Sequence, residues 1–295
     1  MPRIAIIIAS KGRRDDLALW LGHARGQSLA PAVMIWSLCS AEDLPDLADV
    51  PPDERPLVTW SATGSCVQRN TGLGAVPPGT DIVAFFDDDY VPSARCLEGI
   101  ARAFAARPDV VGVTGRMLAD GINSPGIPLE QAFAMVEQYD RAPPAEPISM
   151  RALTGLYGCN MAFRASAIGD ERFDEQLPLY GWQEDVDFSE RVARRGPVCH
   201  TNAFAGVHRG AKSGRTSGVR LGYSQVANIL YLCRKRSIPR RFGMERLGCN
   251  LLANHARFLW SEPWVDRRGR VRGNWLALRD LLLGRLHPTR ILEFH

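Results

Sequence analysis

Residues 82–92 read Ile-Val-Ala-Phe-Phe-Asp-Asp-Asp-Tyr-Val-Pro, so five apolar residues run directly into three carboxylates, Asp87, Asp88 and Asp89. A short apolar run rich in β-branched and aromatic residues predicts a buried parallel strand. The acids then fall at the carboxyl end of that strand, which is the edge where open α/β sheets bind ligands. Residues two apart in an extended chain point the same way, so we expect Asp87 and Asp89 to face one site and Asp88 to face the other side.

Asp87 and Asp89 together predict a metal site. Two hard oxygen donors suit Mg²⁺ or Mn²⁺, which proteins hold through one or two carboxylates together with substrate phosphates. The alternative is a strand-end turn whose acids are solvated. Three adjacent like charges without a cation repel one another, and this favours the metal site.

The composition is typical of a soluble globular protein, since 45% of the 295 residues are hydrophobic and 23% are charged. This length allows one large α/β domain with an appendage. No apolar run approaches the roughly 20 residues that span a bilayer, and the apolar start at residues 3–9 is too short for a secretory signal. The seven cysteines include no Cys-x-x-Cys pair, which argues against a zinc site or a disulfide framework. We therefore expect a cytoplasmic protein.

Strand and helix patterns alternate through residue 115, which predicts an α/β fold with a mainly parallel sheet. The predicted strands are 3–9, 33–38, 57–60, 82–86 and 110–114, and the predicted helices are 14–27, 66–73 and 94–106. Residues 116–217 are less periodic, with helices expected at 129–139 and 184–195, and the rest is helical at 219–236, 240–259 and 275–283. This pattern predicts a main domain over residues 1–217, with halves 1–115 and 116–217, and a C-terminal helical region over 218–295.

Residues 181–188 form a second acidic cluster, Gly-Trp-Gln-Glu-Asp-Val-Asp-Phe. A helix that begins near Glu184 places its acids at the positive end of the helix dipole, which stabilises ionised carboxylates, so capping alone can explain them. Trp182 adds an aromatic face beside Glu184 and Asp185. That combination suits a site that holds a sugar and accepts a hydroxyl proton. We favour the functional interpretation because a first acidic site already exists.

Two further segments carry polar residues that suit phosphate or base binding. His208 ends an apolar segment and leads into a loop of Gly, Ser, Lys and Arg that includes Lys212 and Ser213. Such a loop can wrap a diphosphate through N–H groups and cations, although a structural histidine is equally compatible with the residues. Residues 68–70, Gln-Arg-Asn, can donate hydrogen bonds to a base or phosphate, but a surface helix is the preferred interpretation of this segment taken alone.

Six segments of the chain occur in one order: Gln68-Arg69-Asn70-x-Gly72, Asp87-Asp88-Asp89, Gly158-Cys159-Asn160-x-x-Phe163-Arg164, Phe173-Asp174-Glu175, Glu184-Asp185-Val186-Asp187-Phe188 and His208. Each is weak alone, but the ordered set resembles family 2 glycosyltransferases of the GT-A fold. The resemblance covers about residues 3–215. It implies a Rossmann-like, mainly parallel sheet of the GT-A kind, followed by a C-terminal helical extension.

The resemblance also implies a role for each motif. The metal, Mg²⁺ or Mn²⁺, would be held by Asp87, Asp89 and His208. Asp185 would be the catalytic base, with Glu184 beside it. The donor-binding residues would be Ser10, Arg13, Arg69, Asn70, Asp87, Asp88, Lys212 and Ser213, and the acceptor-binding residues would be Trp182 and Asn160.

The activity implied is the transfer of one sugar from a nucleotide-diphospho-sugar donor to an acceptor hydroxyl with inversion, in the synthesis of a cell-surface glycan or glycolipid. Residues 1–115 would bind the donor and residues 116–217 the acceptor. The Gln-x-x-Arg-Trp motif of processive members is absent, so one sugar is expected per encounter. The loop at residues 10–13 and the end of the second strand at 36–40 differ from the usual family pattern, which leaves the nucleobase open.

Three other interpretations compete with this one. Asp87-x-Asp89-x-Val91 fits the nucleophile motif of haloacid-dehalogenase-type phosphatases, but that family places the motif on its first strand. Residues 206–213 nearly match a P-loop, with Ala211 in place of the second glycine. A catalytically silent nucleotide-sugar or glycan-binding protein on the same fold is the non-enzymatic alternative, and the retention of both acidic clusters argues against it.

Charge is divided unevenly along the chain. From Gly214 onward 16 Arg and Lys stand against 5 Asp and Glu, whereas residues 1–213 carry 20 against 27. Basic helices that also carry Trp260, Trp264, Trp275 and the leucines at 281–283 suggest docking on an anionic membrane surface, where a lipid-linked glycan would be the acceptor. A solvated helical face rich in Arg is equally compatible. No nucleic-acid partner is expected.

Overall fold

The computed structural model describes residues 1–212 and 217–294, and within them nine strands form one sheet. The strands are β1 Ile4–Ala9, β2 Val33–Leu38, β3 Leu57–Trp60, β4 Ile82–Asp87, β5 Tyr90–Pro92, β6 Gly112–Asp120, β7 Met150–Ala152, β8 Asn160–Arg164 and β9 Val198–His208. The helices are α1 Arg14–Arg25, α2 Ser65–Gly74, α3 Cys96–Ala106, α4 Leu129–Asp140, α5 Ala165–Ile168, α6 Glu184–Val192, α7 Gly218–Lys235, α8 Arg240–Ala256 and α9 Arg267–Leu282.

The strands lie in the order β3-β2-β1-β4-β8-β6-β9-β5, and β7 pairs with β9 outside this path. The pairs β3–β2, β2–β1 and β1–β4 are parallel, as are β6 and β9. Strand β8 is antiparallel to both of its neighbours, β4 and β6. The predicted α/β architecture with a mainly parallel sheet and a helical C-terminal extension is confirmed. The strand at 82–86, predicted as parallel, has a parallel neighbour on one side only, because β8 returns beside it in the opposite direction.

Both faces of the sheet are buried, and alternation along β4 shows why. Ile82, Ala84 and Phe86 pack into one hydrophobic cluster with residues of α1 and α3, such as Trp20. Phe85, with its side chain on the opposite face, packs into a second cluster. Successive side chains of a strand point to opposite faces, so a strand covered on both sides needs an unbroken apolar run.

The C-terminal helices share this second cluster with the sheet. Tyr223 and Ile229 of α7 and Ala277 of α9 belong to the same cluster as Phe85. Helices α7 and α9 approach so closely that a Cβ atom on Gly273 would lie 2.1 Å from the Val219 carbonyl oxygen. The helices are therefore an integral part of the packed core, and the predicted divisions of the chain near residues 115 and 217 stay predictions.

Several element boundaries differ from those predicted. Strands β5 and β7 span only three residues each and show no alternation that sequence reasoning can detect. Helix α9 begins at Arg267, earlier than the predicted residue 275, because the Asp266 side chain accepts a hydrogen bond from the Gly269 N–H at 2.7 Å and caps the helix. The first turns of α9 are polar and glycine-rich, which hides the helical period. Within the described residues, no helix is both long enough and apolar enough to cross a membrane.

Candidate active site

The carboxyl ends of β1, β2 and β4 lie side by side at one edge of the sheet. Ala9 of β1 pairs with Ser37 of β2 and with Asp87 of β4. The next residue, Ser10, donates its N–H to the Ser37 carbonyl oxygen at 3.2 Å. This register places the loop after β1 directly beside the three carboxylates, as expected for parallel strands that end at a common edge.

Asp88 is held by residues of the loop after β1. Its two carboxylate oxygens accept hydrogen bonds from the Ser10 hydroxyl and the Arg13 guanidinium, both at 2.7 Å. Burial raises the pKa of Asp88 to about 6, against the opposing charge of Arg13. Asp88 and Asp89 form the tight turn between β4 and β5, and one nitrogen of Arg13 lies 2.7 Å from Asp88 Oδ1 and 3.6 Å from Asp89 Oδ2. Asp87 and Asp89 converge as predicted, but Asp88 and Asp89 share the contact with Arg13.

His208 reaches the acids from the end of β9. The register pairs it with Tyr90 of β5 on one side and with Asp120 of β6 on the other. Its Nδ1 lies 2.9 Å from Asp120 Oδ1, and the Tyr157 hydroxyl donates to Asp120 Oδ2 at 2.9 Å. A carboxylate on Nδ1 fixes the ring orientation and leaves Nε2 directed at the acids, and metal-binding histidines are commonly oriented in this way.

Asp87, Asp89 and His208 form a compact set of donors, with one ligand atom of each lying within 4.8 Å of the others. His208 Nε2 is 3.4 Å from Asp89 Oδ1 and 3.9 Å from Asp87 Oδ2. Asp89 Oδ2 accepts the Ala211 N–H at 2.6 Å, whereas Oδ1 is buried, faces His208 Nε2 and forms no hydrogen bond within residues 1–212 and 217–294. Two carboxylates and an imidazole fit Mg²⁺ or Mn²⁺.

The carboxylates around His208 determine the direction in which its pKa is shifted. Burial acts to lower it, but the hydrogen bond with Asp120 and the charge of Asp89 outweigh that effect and raise the pKa to about 10. The site therefore favours a positive charge at Nε2. A bound divalent cation would provide the same compensation.

In the second acidic cluster, the adjacent carboxylates of Glu184 and Asp185 lie in different environments. Glu184, the first residue of α6, is buried and forms an ion pair with Arg69. Asp185 is half-buried and accepts hydrogen bonds from the backbone N–H groups of Gly158 at 2.9 Å and Val186 at 2.8 Å. Burial raises the pKa of Asp185 above its ordinary value, against these two hydrogen bonds. Asp185 is thus the carboxylate of this pair that can meet a substrate.

Arg69 joins the two acidic clusters. Besides its ion pair with Glu184, its guanidinium donates to Asp87 Oδ1 at 3.0 Å and to the Gly158 carbonyl oxygen at 3.1 Å. The neighbouring Gln68 donates to the carbonyl oxygens of Ser10 and Ser37, both at 2.8 Å. The surface-helix interpretation of this segment is therefore wrong, because Gln68 and Arg69 are buried. Their polar groups fix the edge of the sheet from within.

Asn70 does not lie with Arg69 at the acids but holds the segment before α6. Its Oδ1 accepts the Phe173 N–H at 2.7 Å, and its Nδ2 donates to Glu175 at 2.8 Å. A donor contact by Asn70 stays a prediction.

A cavity of about 560 Å³ lies beside Arg13, whose guanidinium binds Asp88. Asp43 lines it and accepts the Gly12 N–H at 2.6 Å. Asp43 was not among the predicted site residues, because it lies on a short 3₁₀ turn five residues beyond Leu38, the last residue of β2, and no sequence motif marks it. The cavity is lined by Gly12, Arg13, Arg14, Asp15, Asp16, Glu42 and Asp43.

The loop after His208 lies on the same side. Lys212 donates from Nζ to the Gly121 carbonyl oxygen at 2.9 Å, and Arg13 reaches the Ala211 carbonyl oxygen at 3.3 Å. Arg209 forms an ion pair with Asp16. Ser213, predicted to bind the donor, lies outside the described residues.

The two residues predicted to bind the acceptor differ in their placement. Trp182 is half-buried before α6 and stacks on Tyr180, with ring centroids 6.5 Å apart. Tyr180 is 53% exposed. It was not among the predicted site residues, because Trp182 is the aromatic residue nearest to Glu184 and Asp185 in the sequence. Asn160 has no exposed surface and bonds to Thr114 and the Tyr90 hydroxyl. An acceptor contact by Asn160 stays a prediction.

Solved structures share this fold. A mannosyltransferase from Pyrobaculum calidifontis, in complex with GDP-Man and Mn²⁺, aligns with a TM-score of 0.56 and 15% identity over 99% of this chain and 85% of its own. The fold is that of GT-A glycosyltransferases. S. aureus TarS 1-349 in complex with UDP aligns with a TM-score of 0.52 and 12% identity, over 96% and 92% of the two chains.

Another structure of S. aureus TarS aligns with a TM-score of 0.53 and 13% identity over 88% of this chain, which spans 44% of that TarS chain. No protein-family model matches the sequence, and no curated protein matches it.

Proposed function

We propose that this protein is an inverting, non-processive glycosyltransferase of family 2 that uses a divalent metal to transfer one sugar from a nucleotide-diphospho-sugar to an acceptor hydroxyl. The observation that carries the proposal is the cluster of Asp87, Asp89 and His208 at the ligand-binding edge of the sheet. The same fold occurs in a mannosyltransferase solved with GDP-Man and Mn²⁺. One fold hosts many activities, so the proposed activity depends on the residues of the site more than on the fold.

Asp87, Asp89 and His208 would hold Mg²⁺ or Mn²⁺. The bound ion would supply positive charge to the diphosphate of the donor as it leaves. The chain prepares this site in advance: Asp120 orients the imidazole, and the Ala211 N–H fixes the second oxygen of Asp89. Little reorganisation is then needed when the cation and donor bind.

The donor would occupy the cavity beside the loop after β1. Arg13 and Ser10 hold Asp88 there, and Lys212 and Ser213 would bind the diphosphate. Arg69 would act on the donor through Asp87, whose orientation it sets. Cations and backbone N–H groups around a diphosphate stabilise the charge that develops on the leaving group.

Asp185 would take the acceptor proton. It is the accessible carboxylate of its pair, and burial raises its pKa toward the range where a general base works well. Trp182 would hold the acceptor sugar, with Glu184 and Arg69 positioning the start of α6. A single displacement at the anomeric carbon, with base and leaving group on opposite faces of the sugar, inverts the configuration and forms no covalent intermediate.

The acceptor would be a glycan or a lipid-linked glycan. Synthesis of a cell-surface glycan or glycolipid on the cytoplasmic face of a membrane would match the basic, tryptophan-bearing helices at the C-terminal end of the chain.

Thermal unfolding with a panel of nucleoside diphosphates tests donor binding. The diphosphates of uridine, guanosine, cytidine, thymidine and adenosine are added singly, each with and without Mn²⁺. We expect at least one to raise Tm in the presence of Mn²⁺ and to lose this effect with EDTA, because a ligand at 100 times its Kd stabilises the folded state by about 2.7 kcal/mol. No Tm change with any of the five would contradict the proposal.

Donor turnover separates an enzyme from a silent binding protein on the same fold. The nucleotide-sugar whose diphosphate binds is incubated with Mn²⁺, and release of the diphosphate is followed with and without candidate acceptors. We expect slow hydrolysis without acceptor and faster release with one. A protein that binds the donor and releases nothing under either condition is the silent alternative.

A further inference from the structure

Helix α9 presents a stripe of basic and apolar side chains to solvent. Its members, spaced alternately four and three residues apart, are Arg268, Arg272, Trp275, Arg279 and Leu282. This spacing places all five on one helix face. All are exposed, including 60% of Trp275 and 88% of Leu282. A large exposed tryptophan and leucine on one helix face indicate an interaction surface.

Helix α8 extends the same surface. The His255 ring lies against Trp275, with ring centroids 5.9 Å apart. Leu252, three residues before His255 on α8, is 73% exposed on the same helix face. We call the α8–α9 patch the set formed by Leu252, Arg268, Arg272, Trp275, Arg279 and Leu282.

The three arginines of the patch have no carboxylate partner among residues 1–212 and 217–294. Other arginines of this region do. Arg285 and Arg290 both bind Asp280, and Arg267 binds Glu262. The carboxylates of α9 and its flanks are thus occupied away from the patch. Its guanidinium groups remain available to an external anion.

We propose that the α8–α9 patch binds an anionic phospholipid surface. Trp275 and Leu282 would enter the boundary between headgroups and acyl chains, and the arginines would contact lipid phosphates. A second copy of the chain is a poorer partner, because two α9 faces paired about Trp275 bring arginines against arginines. This inference goes beyond the proposed function, since lipid binding needs neither donor nor metal, and its failure would leave the sugar-transfer proposal standing.

Vesicle co-sedimentation tests the patch. Vesicles of phosphatidylglycerol and phosphatidylcholine in equal parts are compared with vesicles of phosphatidylcholine alone, at low and at high salt. We expect binding to the anionic vesicles at low salt, weaker binding at high salt because ions screen the arginines, and little binding to phosphatidylcholine.

Two sets of variants assign the binding to the patch. The triple variant R268Q/R272Q/R279Q should bind on the order of a hundredfold more weakly, since each basic residue near an anionic surface contributes about 1 kcal/mol. The matched control R116Q/R151Q/R194Q removes the same charge from exposed arginines elsewhere and should bind nearly as the parent. The variant W275A/L282A, at exposed positions, should lose more than about tenfold.

Three results would overturn the proposal. The parent could fail to bind anionic vesicles even at low salt, or the two triple variants could weaken binding equally. Light scattering could also show a solution dimer that W275A/L282A converts to a monomer, which would assign the patch to a second copy of the chain.

Discussion

Asp89 Oδ1 is buried and forms no hydrogen bond within the described part of the chain, although His208 Nε2 lies 3.4 Å away. A buried carboxylate oxygen costs free energy unless a partner satisfies it. A divalent cation is the partner that His208 and Asp87 would share. We expect Asp89→Asn to abolish Mn²⁺-dependent binding of a nucleoside diphosphate, because it removes a charged oxygen ligand. Calorimetry measures the affinity, with Asp109→Asn, an exposed aspartate distant in sequence, as the control. Unchanged affinity for the nucleoside diphosphate in Asp89→Asn would contradict the assignment of Asp89 as a metal ligand.

A substitution at Asp185 is predicted to affect turnover but not donor binding. Asp185→Asn should leave donor affinity nearly intact and lower kcat by about 10² to 10⁴, the usual contribution of a general base. In the parent, kcat should rise as pH increases through the pKa of Asp185, which burial holds above its ordinary value, because the base must be ionised. The variant should lose that pH dependence. If Asp185→Asn turned over at the parental rate, Asp185 would not be the base, and another residue would have to serve.

At the scale of elements, α7 holds α6, the helix that carries the proposed base Asp185. Lys235 of α7 donates to Asp187 of α6 at 3.0 Å and to Asp174 at 2.6 Å, and Asn228 donates to the Trp182 carbonyl oxygen at 2.9 Å. Asp187 is fully buried in these contacts and also pairs with Arg191. Of the three acids in this cluster, Asp187 therefore supports the fold, and Asp185 remains the candidate base.

The packing of α9 on α7 depends on glycine at the point of contact. A Cβ atom on Gly273 would lie 2.1 Å from the Val219 carbonyl oxygen, so Gly273→Ala must push the helices apart. We expect a loss of about 1–3 kcal/mol in the free energy of unfolding, measured with urea. The control is Gly248→Ala in α8, where a Cβ atom meets nothing within 4 Å, and this change should stabilise the protein by up to about 1 kcal/mol. Equal effects at both positions would refute the packing argument.

At the scale of the whole molecule, the sheet and the C-terminal helices are predicted to unfold as one unit. Phe85 of the sheet and Tyr223, Ile229 and Ala277 of the helices lie in one hydrophobic cluster. A chain that ends at residue 217 would expose this cluster, so we expect it to lack near-ultraviolet circular dichroism and to aggregate. The full chain should show coincident far- and near-ultraviolet transitions in urea. A folded, monomeric 1–217 fragment would instead support two separable domains.

The sequence by itself determined the fold class and the position of the three carboxylates, Asp87, Asp88 and Asp89, in the candidate site. Apolar runs and helical periods report burial and element type locally, so β2 and β3 have their predicted bounds and the three carboxylates begin at the last residue of β4. The α/β alternation then places those carboxylates at the edge where ligands bind.

Only the tertiary structure decided what surrounds them. The register of β9 against β5 and β6 puts His208 beside Asp120 and Asp89, and Arg69 reaches Asp87 and Glu184 together. The partners in these contacts lie far apart along the chain, and no local period encodes their meeting. Burial then separates adjacent acids, since Glu184 is held in an ion pair while Asp185 stays accessible, and the exposure that makes this difference exists only once the chain is packed.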